Sequence, residues 1–157
     1  PNQIWRKDHW EKLTSRTEII PVKDSDPDTL LVRTSSHGPI VNDIYFKQME
    51  NTSPVSVWWS SMFFKEDILA AVYQLNHIAS LDDARKGASM IEAPGLNVMY
   101  ADTAGNIAWW ASARLPVRPE HINTKLVLNG SSGEDDYLEF YDFSKNPQAE
   151  NPPWDYV

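Results

Sequence analysis

The chain alternates short apolar runs with polar turns, and one stretch does so with unusual clarity. Asn97–Ala101 and Ile107–Ala113 read as two strands, separated by Asp102-Thr-Ala-Gly-Asn106. Asp, Gly and Asn tolerate positive φ or bond their own backbone, so this stretch predicts a β-hairpin with a tight turn, leaving through Pro-Val-Arg. Glu18–Val22 and Thr29–Arg33 form a second strand pair around an Asp-rich turn, Lys23–Asp28, and Pro21 marks an edge strand or a strand end. Thr34–Pro39 reads as a loop, after which Ile40–Val41 resume an extended run. Val55–Trp59 has the β-branched and aromatic character of a strand, and Met49–Pro54 before it that of a loop.

The middle of the chain changes period. Ile68, Leu69, Val72, Leu75, Ile78 and Ala79 form one apolar stripe, which predicts a helix over Lys65–Ala79 with Glu66 and Asp67 in its first turn. A second helix starts at Ser80, with Asp83 completing a capping-box pattern, and ends near Pro94–Gly95. Residues 1–13 are mixed polar and aromatic, and the chain beyond Pro119 is irregular, with turns at Asn146-Pro and Asn151-Pro-Pro. The class is α+β: antiparallel strands with a central helix pair.

Composition narrows the function. The 157 residues carry a net charge of −8, against the basic face that nucleic acid or anionic lipid requires. No apolar run reaches the roughly 20 residues of a membrane span. Cysteine is absent, which removes disulfides, thiolate metal sites and a Cys nucleophile. The opening at Pro1 without Met and the apolar tail Asn-Pro-Pro-Trp-Asp-Tyr-Val lead us to expect a fragment.

Candidate chemistry is sparse. Ser35, Ser36 and His37 are adjacent, but no G-x-S-x-G elbow surrounds them, and a triad is assembled in space rather than in sequence. His9, His37, His77 and His121 show no i, i+4 pair of a zinc site. Asp24, Asp26 and Asp28 resemble the start of a calcium loop, yet Thr29 and Ser35 stand where Gly and Glu are required. The pairs Asp82–Asp83 and Asp135–Asp136 read as solvated charge, and phosphate-binding glycine motifs are missing. Seven tryptophans are many for this length. In the pairs Trp58–Trp59 and Trp109–Trp110, strand alternation sends the two rings to opposite faces, one into the core and one toward an interface or groove.

Four segments, taken in order, resemble the penicillin acylase family. They are Trp10 followed by Thr-Glu-Ile-Ile-Pro-Val-Lys over 17–23; Arg-Thr-Ser-Ser-His-Gly-Pro-Ile over 33–40; the helix pair from Ile68 through Ala88; and the hairpin Asn97–Arg118, which is similar to the family's N..YAD..GNI…P.R pattern. The resemblance covers nearly the whole chain. It implies an N-terminal-nucleophile hydrolase, an αββα fold of which residues 1–157 are a single inner fragment of the large chain. Such enzymes cut themselves to expose a serine whose own α-amino group serves as base, and hydrolyse amides through an acyl-enzyme.

Carried over position by position, the resemblance leaves this chain without a catalytic residue. The nucleophilic serine and the backbone oxyanion donor fall before Pro1, and the oxyanion asparagine falls after the pattern that Asn151-Pro-Pro begins. We therefore expect no catalytic residue and no metal ligand here, and inactivity of the chain in isolation. Tyr73 stands where some relatives carry an aromatic residue lining the acyl pocket, which makes it the substrate-binding candidate. The chemistry needs no cofactor; a structural calcium in the full-length protein would lie near Thr124. The implied partners are a small acyl amide and the remainder of the large chain with the small chain, in a periplasmic or exported enzyme. Ala108-Trp109-Trp110 and Ala113–Arg114 depart from the family's Gly-containing pattern, so no particular acyl group is carried over. The rival is a non-catalytic binding module such as a propeller blade, which also uses Tyr-x-Asp-x-x-Gly-Asn hairpins. A propeller repeats its motif roughly every 40–50 residues, and this motif occurs once.

Overall fold

The computed structural model describes residues 2–42, 53–62, 64 and 68–154. The chain forms two compact units: Pro1–Trp59 with Pro119–Asp136, and Ser60–Arg118 with Tyr137–Val157. It is α+β, as its sequence pattern predicts.

In the first unit, β1 (Gln3–Arg6) and β2 (His9–Lys12) form a hairpin that places Trp5 opposite Trp10, their rings packed edge to face. The mixed composition of residues 1–13 had suggested no strand. The turn needs Lys7 at positive φ, a conformation for which Gly or Asn is the usual signal. β3 (Thr14–Ile20) and β4 (Asp28–Ser35) pair antiparallel around the Asp-rich turn, with β5 (Gly38–Pro39) on the far side of β4. The 34–39 loop is thus partly strand.

Val55–Trp59 does not become a strand. It makes a single antiparallel bridge, Ile40 to Ser56, flanked by Val41 N–H donating to Val55 O and Val57 N–H donating to Pro39 O. Gly38 makes this approach possible. It sits at φ +118°, and a Cβ there would collide with the Val57 carbonyl.

The second unit holds the helix pair and the signature hairpin. The first helix, α1, runs Ile68–Leu75; residues 65–67 of the expected span lie outside the described residues, as do 49–52 of the expected loop. It ends before Ala79, with side chains sharing its last carbonyls. Asn76 Nδ2 donates to Val72 O at 2.9 Å and His77 Nδ1 lies 2.7 Å from Tyr73 O. The second helix, α2 (Leu81–Ser89), is capped by Ser80, whose Oγ accepts from Asp83 N–H. Asp83 in turn accepts from the Ser80 hydroxyl and from Ala79 N–H, one residue before the N-cap amide that a capping box uses. Gly87 lets Leu75 of α1 lie against α2; a Cβ there would stand 2.6 Å from Leu75 Cδ2.

β6 (Leu96–Ala101) and β7 (Ile107–Ser112) form the predicted hairpin in a three-stranded sheet. The third strand, β10 (Gln148–Glu150), comes from the region read as irregular, where three polar or small residues carry no strand pattern of their own. Short strands β8 (Pro116–Val117) and β9 (Glu139–Phe140) pair separately. Along β7, Ala108, Trp110 and Ser112 are buried while Ile107, Trp109 and Ala111 face the other side. The two adjacent tryptophans do part to opposite faces. The core joins Trp110 and Ala108 to Ala84 and Ala88 of α2, with Ile78, Leu81, Val98, Tyr100 and Phe143 around them. Small residues on α2 leave the room that the indole fills.

Candidate functional site

Each candidate side chain of the sequence can now be placed. Ser35, Ser36 and His37 do not form a catalytic set. Ser35 Oγ accepts from His37 N–H and donates to Gly38 O, closing the tight loop between β4 and β5. Ser36 turns instead to Glu11, donating through its backbone N–H at 2.7 Å and its Oγ at 2.8 Å. The His37 ring is buried, stacked on Trp58 with centroids 4.5 Å apart, and its Nε2 reaches Asp136 Oδ1 at 2.8 Å.

Asp136 also accepts from Arg6 Nη2 at 2.5 Å, and Arg6 Nη1 reaches Gly130 O. Burial pushes the Asp136 carboxyl up, but Arg6 and His37 outweigh it and hold the group below the usual carboxylate range. The network ties residues 129–136 to β1, and Lys7 N–H donating to Ser131 O adds a backbone link. Sequence reading missed it, because Asp136 lies 130 positions from Arg6 and 99 from His37, with no local signal.

Several other carboxylates are also occupied. Asp82 pairs with Arg85, Asp83 caps α2, Asp135 accepts from His121 and from Asn129 N–H, and Asp28 accepts from Thr29 N–H. Asp102 holds the signature turn. Its Oδ1 accepts from Ala104 and Asn106 N–H, and its Oδ2 from Asn106 Nδ2 at 2.7 Å and Tyr100 Oη at 2.9 Å. The Asn106 side chain is the main cause that holds this carboxyl below its ordinary value, while burial is the main cause that pushes Tyr100 up. Gly105 at φ +87° completes the turn. The motif residues of the hairpin are thus its scaffolding.

A second network fixes β10 to the hairpin. Arg85 of α2 grips Glu150 through Nε at 2.6 Å and Nη2 at 2.5 Å, and Trp110 Nε1 donates to the same carboxylate at 2.8 Å. Arg85 is the chief cause that keeps Glu150 below its ordinary range. Asn151 follows at positive φ. It accepts from Ile107 N–H through Oδ1, donates its own N–H to Ile107 O, and gives its Nδ2 to Asn106 Oδ1. Asn146 donates to Ala111 O and Ala113 O. Both asparagines are turn residues in the sequence reading; their side chains replace ladder bonds along β7.

Tyr73 projects from α1 and is 67% exposed. Its ring lies against His77 with centroids 4.1 Å apart, and Leu69 and Val72, also exposed, continue the same face. The predicted apolar stripe divides: Ile68, Leu75 and Ile78 are half-buried while Leu69 and Val72 are exposed; the buried residue of α1 is Ala71, which the stripe did not include, and Tyr73 stands on an apolar outer surface. A cavity of about 360 Å³ in the second unit is lined in part by Glu92, Arg114, Phe140 and Asp142. Its arginine is already paired with Glu92 at 2.7 Å and lies over the Phe140 ring.

Among the described residues no group of three or more His, Asp or Glu could hold a metal ion. Thr124 lies on an exposed stretch. Among the described residues no helix is long and apolar enough to cross a membrane.

These placements describe a framework with an exposed apolar face, and comparison with known proteins gives it a context. The family model for penicillin amidase matches residues 1–157. Penicillin G acylase of Escherichia coli is 26% identical over 160 residues, covering all of this chain and 18% of that protein. A thermostable penicillin G acylase from Alcaligenes faecalis matches in structure with a TM-score of 0.76 at 23% identity, over 97% of this chain and 26% of that chain. At that identity the structural match speaks for the fold, and it sets aside the propeller blade. The chain spans less than a fifth of the curated relative and about a quarter of the solved chain. With its whole length inside the family model, this chain belongs to the penicillin amidase family.

Proposed function

We propose that this chain is an inner part of the large chain of an acylase-type amidohydrolase. In the parent enzyme, the hydroxyl of an N-terminal serine attacks a linear acyl amide, its α-amino group takes the hydroxyl proton and passes it to the amine that leaves as the C–N bond breaks, and water then hydrolyses the resulting ester to release the acid and restore the serine. The nucleophile and the oxyanion donors belong to segments outside these residues. What this chain contributes is the framework between them and one wall for the acyl group, the Tyr73 face of α1. The observation that carries the reading is the occupation of the candidate nucleophile and acid–base groups: His37 is committed to Asp136, Ser35 to its loop, Ser36 to Glu11, and Asp102 to its turn, inside a chain that matches the family from end to end. Export to the periplasm suits such an enzyme and is part of the proposal.

An acyl chromogenic amide tests this directly. The isolated chain should give no turnover above buffer, whereas the parent should hydrolyse it. Turnover by the isolated chain overturns the assignment. In the parent, Tyr73→Ala should raise KM and alter the preference among acyl groups with a smaller effect on kcat, because a pocket wall binds substrate without touching the bond that breaks.

A further inference from the structure

Asn129 is the only asparagine of the chain that a glycine follows, and the first unit arranges reactive groups around that pair. Its Oδ1 accepts from Ser131 N–H at 3.0 Å and from Ser131 Oγ at 2.6 Å. The first of these bonds closes an Asx ring that contains both Asn129 Cγ and the backbone nitrogen of Gly130. Gly130 puts no side chain over that nitrogen, and the loop leaves little room for one: a Cβ there would stand 3.2 Å from His37 Nδ1 and 3.4 Å from its Cε1.

The tautomer of His37 follows from its partner. Arg6 holds Asp136 as a carboxylate, which can only accept, so the 2.8 Å contact is a bond donated by His37 Nε2–H. In the neutral ring Nδ1 then keeps its lone pair, on the side of the ring that lies against Gly130. Stacking on Trp58 fixes the plane of the ring.

We propose that Asn129–Gly130 is a self-modification site, at which the asparagine is deamidated through a cyclic imide. Gly130 N bonds to Asn129 Cγ while His37 Nδ1 takes the amide proton. The two donors of Ser131 hold the charge that develops on Oδ1. The Cγ–Nδ2 bond then breaks, and His37 returns the proton to Nδ2, which leaves as ammonia. Water opens the imide at either carbonyl, giving aspartate or isoaspartate at position 129.

The product alters the loop. Isoaspartate routes the main chain through the former side chain and lengthens it by a methylene. Gly130 O is then drawn off Arg6 Nη1, and Ser131 O off Lys7 N–H, which cuts the tie of residues 129–136 to β1. Either product also sets a new carboxylate beside Asp135, which accepts from Asn129 N–H at 2.8 Å.

Peptide mapping by mass spectrometry on the parent protein, aged at neutral pH, tests the proposal; the aspartate and isoaspartate peptides separate by retention time. Asn123 is the internal control, since its Oδ1 accepts from Lys125 N–H at 3.1 Å in the same kind of turn but Thr124 follows it. Position 129 should convert faster than position 123. It should also convert roughly fivefold faster in the folded parent than in the same protein held in urea, because folding supplies the hydroxyl bond and the base. Ser131→Ala removes the hydroxyl donor alone and should slow conversion roughly fivefold. His37→Gln keeps a donor for Asp136 without a basic nitrogen and should also slow it. Isoaspartate-bearing molecules should be nicked by protease first within residues 129–136. Conversion no faster than at Asn123, a folded rate at or below the rate in urea, or an unchanged rate in either variant overturns the proposal. The comparison in urea requires no variant to fold, and none of these readouts depends on amidase activity.

Discussion

Trp110 is the largest fully buried side chain among the described residues, and its replacement gives a sharp test of the packing argument. The residue is fully buried against Ala84, Ala88 and Ala108. An indole buries about 200 Å² of surface, and at about 25 cal/mol per Å² its removal forfeits roughly 5 kcal/mol of transfer free energy. The alanine-rich wall cannot follow it, so a cavity remains. Partial relaxation and residual structure in the unfolded chain reduce the figure, and Trp110→Ala should cost about 4 kcal/mol. Trp110→Phe isolates the polar part. It keeps most of the ring and removes the Nε1–H donated to Glu150 at 2.8 Å, which should cost about 1.5 kcal/mol while Arg85 still holds the carboxylate. Urea unfolding followed by far-ultraviolet circular dichroism reads both. With a slope of about 2 kcal/mol per molar, Trp110→Ala should move the midpoint by about 2 M and Trp110→Phe by less than half of that. A loss under about 1 kcal/mol for Trp110→Ala, or equal losses for the two variants, would refute the reasoning.

Three further outcomes follow from the same geometry. Gly38→Ala should destabilise the first unit by more than about 2 kcal/mol, since its φ of +118° is strained for an L side chain and the new Cβ meets the Val57 carbonyl; a melting temperature equal to the parent's contradicts this. Asp136→Asn should cost about 3 kcal/mol by leaving Arg6 half-paired in a buried position, with protease cleavage appearing first within residues 129–136. The folded-state pKa of Asp136 lies below its unfolded value, so the stability it gives is present above the ordinary aspartate pKa of 3.8 and is lost as pH falls through the folded value; the variant's deficit should therefore vanish in acid, and a deficit independent of pH would contradict it. Ser80→Ala should remove the cap of α2 at a cost of about 1 kcal/mol, which Ser80→Asp should largely recover.

What the sequence discloses, and what it hides, divides by range. The β6–β7 hairpin, its Asp102 turn, the β3–β4 pair and the Ser80 cap are local devices, written in residues within a few positions of one another. β10 hides because Gln148-Ala-Glu150 borrows its strand character from β7 across the ladder, where Trp110 faces Gln148 and Ala111 N–H donates to Pro147 O. The β1–β2 hairpin hides because Lys7 takes a glycine's conformation. Val55–Trp59 misleads in the other direction, since β-branched and aromatic residues also suit an extended segment that packs a ring on His37. The same division holds at the candidate site. That Ser35–His37 is a loop can be read from the absence of an elbow motif, but the Arg6–Asp136–His37 and Arg85–Glu150–Trp110 networks join residues that only the fold brings together. Tyr73 was reached through resemblance alone, and its exposure on α1 gives it a surface but no substrate.

The measurement that bears most directly on the central claim is intact mass with N-terminal sequencing of the parent protein expressed from its own gene. The account predicts two chains, the larger beginning with serine upstream of Pro1 and containing this framework. A single uncleaved chain that still folds would contradict it, leaving the penicillin amidase framework in place without the self-processed nucleophile that the proposed chemistry requires.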